Sequence, residues 1–168
     1  MLIRPRQDQD IAACADLVRD VHALDRYPRF LPNDLQSFLT IADAYGAWVA
    51  DLDGEVVGHI ALIPRSLPHA MELAANALNR PAEQLAVVAR LFVSVRARGR
   101  GAARMLLATA TAEAAARGLW PILDVDTDLA AAIALYESSG WVRAGKVTVR
   151  FSTGHTMDEY VYLGRADG

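Results

Sequence analysis

Between Leu91 and Gly118 the sequence confines the backbone more tightly than elsewhere in the chain. Leu91-Phe92-Val93-Ser94-Val95 is an apolar run of strand length, and Arg96-Ala97-Arg98-Gly99-Arg100-Gly101 is a basic turn with two glycines. An alanine- and leucine-rich helix follows and stops at Gly118. A strand that turns this sharply into a helix leaves backbone N–H groups free at the helix start. Those donors and the positive end of the helix dipole suit phosphate oxygens. Glycine permits the backbone angles and the close approach such a turn needs, and Arg96, Arg98 and Arg100 add mobile positive charge. A Walker-type loop is excluded, because Ala102-Ala103 stands where Lys-Ser or Lys-Thr is required. A dinucleotide fingerprint is excluded by Arg104, which holds the place of its third glycine. A solvated basic turn, with glycines serving chain geometry alone, is the other reading of these residues.

A chain of 168 residues with 53% hydrophobic and 22% charged residues has material for one sizeable core, so a single domain over 1–168 is expected and disorder is not. The net charge of −3 makes the arginines a local patch in an acidic protein. That suits a small anionic ligand and gives no reason to expect nucleic acid. Cys14, the single cysteine, permits no internal disulfide and falls on the apolar side of the first predicted helix, where packing is its expected role. The sequence shows no leader or membrane-spanning run, and a cytoplasmic protein is expected.

In order along the chain, Leu2-Ile3-Arg4-Pro5 predicts a first strand. Asp8 or Asp10 caps a helix carrying Ile11, Cys14, Ala15, Val18 and Val21 on one face. His22 to Asn33 is loop-like, and Asp34 caps a short helix through Ile41. Asp53-Gly54 joins strands Ala47 to Leu52 and Glu55 to Ile63 as a hairpin. Arg65 to Ala82 departs from strand pattern and holds a helix from Met71 to Leu78, an insertion before the next strand. A strand from Leu85 to Val95, interrupted by Arg90, leads into a helix from Gly101 to Arg117 whose packing face is Ala103, Leu107, Ala110 and Ala114. Pro121 to Asp126 is a strand, and Thr127 or Asp128 caps a helix from Leu129 to Ser138. Trp141 to Phe151 and Thr156 to Leu163 are the last two strands. This order predicts an α+β fold with a mixed, mostly antiparallel sheet and one parallel crossover.

Two motifs, correctly ordered, carry a family resemblance along nearly the whole chain. Arg98-Gly99-Arg100-Gly101-Ala102-Ala103 fits the Q/R-x-x-G-x-G/A signature of the GNAT superfamily of N-acetyltransferases. Leu123 and Val125, followed by Ala132-Ile133-Ala134-Leu135-Tyr136-Glu137-Ser138-Ser139-Gly140-Trp141, resemble that family's later strand and helix end, with tryptophan for the usual phenylalanine. The resemblance implies acetyl-CoA as cosubstrate and no metal. It places the pyrophosphate on the backbone of Arg98, Gly99, Arg100, Gly101, Ala102 and Ala103, and the acyl and pantetheine parts along Leu91, Phe92 and Val93. Two departures stand out. Leu129 occupies a position where the family often has asparagine, and no carboxylate lies between Leu85 and Ala97, where many members carry a catalytic glutamate.

Acetyl transfer to an amine needs a neutral amine, stabilisation of an oxyanion and a proton for the departing thiolate. Tyr136 resembles the family's general acid; a core tyrosine is its alternative role. Asp124 and Asp126 alternate with apolar neighbours and so share a strand face, which makes either a candidate base or a plain solvated carboxylate. Glu83 and His155 are weaker candidates, and His22, His59 and His69 lack metal-ligand spacing. The expected acceptor is a small-molecule amine bound by His22 to Phe38, Arg65 to Glu83 and Ser152 to Met157. A homodimer is compatible with this reading. Protein amines as acceptors, and a non-catalytic acyl-CoA-binding module, are the alternatives.

Overall fold

In the computed structural model, which describes residues 1–165, Asp53 and Gly54 have φ of 55° and 88°. Two consecutive positive φ values give the turn whose twist matches paired strands, and this turn joins β2 (Gly46–Leu52) to β3 (Glu55–Ile63). The remaining elements are β1 (Leu2–Pro5), α1 (Ile11–Asp25), α2 (Leu35–Leu39), α3 (Pro68–Leu78), β4 (Leu85–Val93) and α4 (Ala102–Ala116). The chain finishes with β5 (Trp120–Asp126), α5 (Ala130–Ser138), β6 (Val142–Arg150) and β7 (Thr156–Leu163). The seven strands form one sheet in the order β1-β2-β3-β4-β5-β7-β6. β4 and β5 pair in parallel, Leu85 opposite Trp120 through Val87 opposite Ile122, whereas β1–β2, β2–β3, β5–β7 and β6–β7 are antiparallel pairs. The mixed, mostly antiparallel sheet with its single crossover is the α+β architecture that the element order implies.

The chain forms two compact units that interleave in sequence: Met1–Ile63 with Val88–Ala110, and Pro64–Val87 with the chain from Thr111 onward. In the first, Cys14, Leu17, Val18 and Val21 of α1 pack with Leu35, Leu39, Val49 and Phe92. That is the helical spacing of the sequence turned into a buried stripe. Cys14 is fully buried and its thiol is pushed up to about 11 by desolvation, so it is inert packing. In the second unit, Ile122, Leu123 and Val125 of β5 are buried with Tyr136, Trp141, Val161 and Tyr162.

Several boundaries differ from the sequence reading, each for a local reason. α1 continues through His22 to Asp25, and left-handed Arg26 (φ 59°) ends it by donating its N–H to the His22 carbonyl at 3.0 Å. β4 stops at Val93, because the Ser94 hydroxyl accepts the Arg96 N–H at 3.3 Å and starts a single 3₁₀ turn over Val95–Ala97. α4 buries Ala102, Leu106, Leu107, Ala110 and Ala114, so Ala103 lies at the margin of its packing face. Neither Thr127 nor Asp128 caps α5. The Thr127 N–H goes to the Asp158 carbonyl and the Asp128 N–H to the Asp126 carboxylate, both at 3.0 Å, so both residues are held in a turn off β5.

Candidate active site

In the first unit the basic turn has the predicted shape. Gly99 and Gly101 have φ of 72° and 81°, a region that side chains disfavour, and a Cβ at either would meet no atom within 4 Å. The backbone angle, not crowding, is what asks for glycine here. Met105 donates its N–H to the Gly101 carbonyl at 3.0 Å and closes the first turn of α4. The N–H groups of Ala102, Ala103 and Arg104 therefore precede the first available helical acceptor. Together with two open glycines, this is a backbone surface that fits phosphate oxygens.

The arginines are less mobile than their sequence suggests. Arg96 is ion-paired with Glu55, and Arg98 with Asp25 through two hydrogen bonds. Arg96, Glu55 and Arg98 are exposed and Asp25 is half-buried, and such surface pairs are worth at most about 1 kcal/mol each. An incoming phosphate exchanges them at little cost. Arg100 is exposed and has no carboxylate partner among the described residues.

β4 brings Leu91, Phe92 and Val93 to this turn, and its interruption at Arg90 is a change of backbone. Arg90 has φ of 55°, left-handed inside a strand. Its carbonyl leaves the regular ladder and accepts the Nδ1–H of His59 at 2.9 Å. The Arg90 guanidinium lies 4.1 Å over the Phe38 ring and donates from Nε to the Phe38 carbonyl. His59 is fully buried and stacks on Phe92 with ring centroids 5.1 Å apart. A carbonyl only accepts and a guanidinium only donates. The His59 proton therefore sits on Nδ1, while Nε2 takes the Arg6 N–H at 3.2 Å. Burial lowers its pKa from 6.5 to about 4, so His59 is a neutral strut and not a base at neutral pH.

In the second unit the β5–β7 register sorts the chemical groups onto two faces. Leu123 is opposite Tyr162 and Val125 opposite Tyr160, while Asp124 is opposite Val161 and Asp126 opposite Glu159. The first face carries α5. Tyr136 is buried there, its ring 6.0 Å from Tyr162 and 6.1 Å from Trp141. The Tyr162 hydroxyl donates to Glu137 at 2.7 Å and accepts from Arg143 Nε at 3.0 Å, which fixes α5 against β7.

The second face carries the carboxylates and lies under α3. Gly145, paired with Val161, would place a Cβ 2.9 Å from Leu73 of α3, and the Ser66 hydroxyl just before α3 donates to Asp124 at 2.6 Å. The structure thus brings Asp124 and Asp126 together and sets Tyr136 on the opposite face of the same strands. It adds a third carboxylate that the sequence reading did not single out. Glu159 is 7% exposed, and it is in phase with Met157, Val161 and Leu163 along β7. A lone acid on an otherwise apolar strand face was the available signal. Glu83 and His155 lie elsewhere, in the short turn before β4 and in the exposed β6–β7 loop.

Among the described residues no group of three or more His, Cys, Asp or Glu is arranged to hold a metal ion, and no helix is long and apolar enough to cross a membrane. A family model described as acetyltransferase (GNAT) family matches residues 12–141, more than three quarters of the chain. Among solved structures, the chain is similar to the ribosomal-protein-alanine N-acetyltransferase of Brucella melitensis, with TM-score 0.72 and 24% identity, covering 98% of this chain and 99% of that one. It is also similar to an N-acetyltransferase from Staphylococcus aureus Mu50, with TM-score 0.74 and 19% identity over 99% and 98% of the two chains. A third is yncA of Salmonella typhimurium with its cofactor acetyl-CoA, with TM-score 0.69 and 19% identity over 100% and 95%. At these identities the structural likeness speaks for the fold. Among curated proteins no match was found.

Proposed function

Because the chain belongs to the acetyltransferase (GNAT) family, we propose that it is a cytoplasmic, single-domain N-acetyltransferase that moves an acetyl group from acetyl-CoA to the primary amine of a small molecule. The observation that carries this reading is the turn before α4. Two open, positive-φ glycines stand at a helix start whose first N–H groups precede the first helical acceptor, an arrangement suited to a pyrophosphate. Acetyl-CoA supplies an acyl group already activated as a thioester. Residues Arg98 to Ala103 would hold its phosphates, and Leu91, Phe92 and Val93 would line the strand beside its acyl arm. Tyr136 has the chemistry to give a proton to a departing thiolate. Asp124 and Asp126 have the chemistry to draw a cationic amine and accept its proton.

A protein N-terminus is the second acceptor class, favoured by the likeness to a ribosomal-protein-alanine N-acetyltransferase. The test is thiol release from acetyl-CoA over a panel of amines that includes amino acids, polyamines and an alanyl peptide, alongside calorimetric titration of acetyl-CoA. Thiol release with a small amine but not the peptide is the expected result. Release with the peptide alone transfers the assignment to protein acetylation. Tight binding without release from any acceptor makes the chain an acyl-CoA-binding module, and no binding removes the cradle.

A further inference from the structure

We propose that His59 is a positioning residue for acetyl transfer: by holding the Arg90 carbonyl it turns the Leu91 N–H to the opposite side of β4, where that N–H hydrogen-bonds the carbonyl oxygen of the acetyl group. This rests on the acetyltransferase reading given above and assigns a residue that lies outside both sequence motifs.

A residue with a Cβ keeps left-handed backbone inside a strand only where its surroundings impose it. Around Arg90, with φ of 55°, those surroundings are specific. Its carbonyl accepts the His59 Nδ1–H at 2.9 Å, its Nε donates to the Phe38 carbonyl at 3.2 Å, and its guanidinium covers the Phe38 ring. His59 is braced in turn. The imidazole is fully buried and stacked on Phe92, and Arg6 Nη1 donates both to its Nε2 and to the Leu39 carbonyl. A neutral imidazole donates from one end, accepts at the other and is flat enough to lie against a phenyl ring. Lysine or arginine at this position would set a third cation beside Arg6 and Arg90. The break in β4 is local. By Ser94 the N–H is on the Val57 carbonyl at 2.8 Å, and a Cβ at Gly58 would lie 3.3 Å from the Phe92 carbonyl, so β3 and β4 run close together there.

Covalent geometry carries this constraint to Leu91. The Arg90–Leu91 peptide is trans, and a planar trans peptide points its C=O and N–H in opposite directions. A carbonyl fixed on His59 therefore fixes the Leu91 N–H away from His59. Leu91 is half-buried while Phe92 and Val93 are buried, so this donor stands at the edge of the core. In acetyl transfer the amine nitrogen bonds to the acyl carbon, the thiolate departs with the carbon–sulfur electron pair, and negative charge passes through the carbonyl oxygen. A backbone N–H whose direction is already set stabilises that charge without reorganising. Leu91 keeps its proton throughout, and His59 moves none.

The test compares wild type with His59→Asn and His59→Phe. The asparagine amide nitrogen sits one bond from Cγ, as Nδ1 does, and can still donate to the Arg90 carbonyl, but the ring and the Arg6 contact are gone. Phenylalanine keeps the ring against Phe92 and has no donor. His59→Phe should lose about a hundredfold in kcat and His59→Asn no more than about threefold, while the acetyl-CoA dissociation constant of each stays within about twofold of wild type. A folded His59→Phe with wild-type kcat, or His59→Asn losing as much as His59→Phe, overturns the proposal. The second readout needs neither turnover nor a variant. Arg90-Leu91 is the only Arg-Leu pair in the sequence, so protein labelled with carbonyl-¹³C arginine and ¹⁵N leucine gives one coupled amide signal, that of Leu91. Its proton resonance should move downfield with acetyl-CoA and not with CoA. The same response to both, or none while calorimetry shows acetyl-CoA bound, overturns the proposal. Failure of the acetyltransferase reading would appear separately, as no acetyl-CoA binding and no thiol release from wild type with any amine.

Discussion

Tyr136 and His59 look alike in sequence, each a titratable ring among apolar neighbours, and their surroundings give them different work. Tyr136 is buried between Trp141 and Tyr162 on the α5 face, where its ring is packing whatever its hydroxyl does. Tyr136→Phe keeps that packing and deletes one oxygen. If the hydroxyl protonates the thiolate, kcat should fall by roughly a hundredfold while the acetyl-CoA dissociation constant and the melting temperature hold. Steady-state kinetics with a parallel calorimetric titration reads this, and an unchanged kcat with chemistry rate-limiting would leave Tyr136 a core residue. His59 has both nitrogens committed, to the Arg90 carbonyl and the Arg6 guanidinium, in a fully buried position. Its ¹⁵N resonances should report the Nδ1–H neutral form until the pH approaches about 4. Titration near 6.5 instead would mean that the imidazole is open to water.

At the scale of elements, the turn before α4 was the most legible part of the chain, because its glycines have one physical use. At φ of 81° Gly101 tolerates no side chain without strain. Gly101→Ala should therefore cost about 1 kcal/mol in stability and weaken acetyl-CoA binding modestly. Gly101→Asp should add a negative charge at the cradle and weaken binding by at least a further tenfold. Titration of the two variants separates backbone strain from charge, and equal affinities would remove the phosphate reading of this turn. The hairpin at Asp53-Gly54, the helical stripe from Cys14 to Val21 and the crossover were legible for the same reason: local chemistry allows few alternatives. What escaped depended on contacts made across the sheet. Arg90 showed as a break in an apolar run, but its left-handed backbone is held by His59 and Phe38, distant in sequence. Glu159 was not singled out in the sequence, because its place opposite Asp126 and beside Asp124 is set by the ladder. The insertion read as a wall of the acceptor site is also a structural cover, since Leu73 closes on Gly145 and Ser66 holds Asp124.

For the molecule as a whole, two buried groups pull stability in opposite directions with pH. The His59 pKa falls on folding from 6.5 to about 4, so the unfolded chain binds the extra proton between those values and stability is lost as pH drops from 6.5 towards 4. The Glu159 pKa rises on folding from 4.5 to about 8. The folded state then holds the extra proton, and stability is lost as pH climbs from 4.5 to about 8. Each contributes a slope of about 1.4 kcal/mol per pH unit within its window. Between pH 4.5 and 6.5 the slopes cancel and give a plateau. Below the plateau, Asp10, held low chiefly by its hydrogen bonds to Arg4, adds to the acid loss as it is protonated. Above it the Glu159 contribution continues, and stability should decline by about 2 kcal/mol between pH 6.5 and 8 before levelling. In a chain of this size that is a fall of about 4–8 °C in melting temperature. Glu159→Gln removes the alkaline arm alone. Its melting temperature should rise from pH 4 to 6.5 and then stay level to pH 9, crossing above wild type on the alkaline side. Melting curves of the two ligand-free proteins at half-unit pH intervals decide the matter. A wild-type curve that is flat from pH 6.5 to 9, or a variant that falls in parallel with it, would show that Glu159 is ionised in the folded protein at neutral pH.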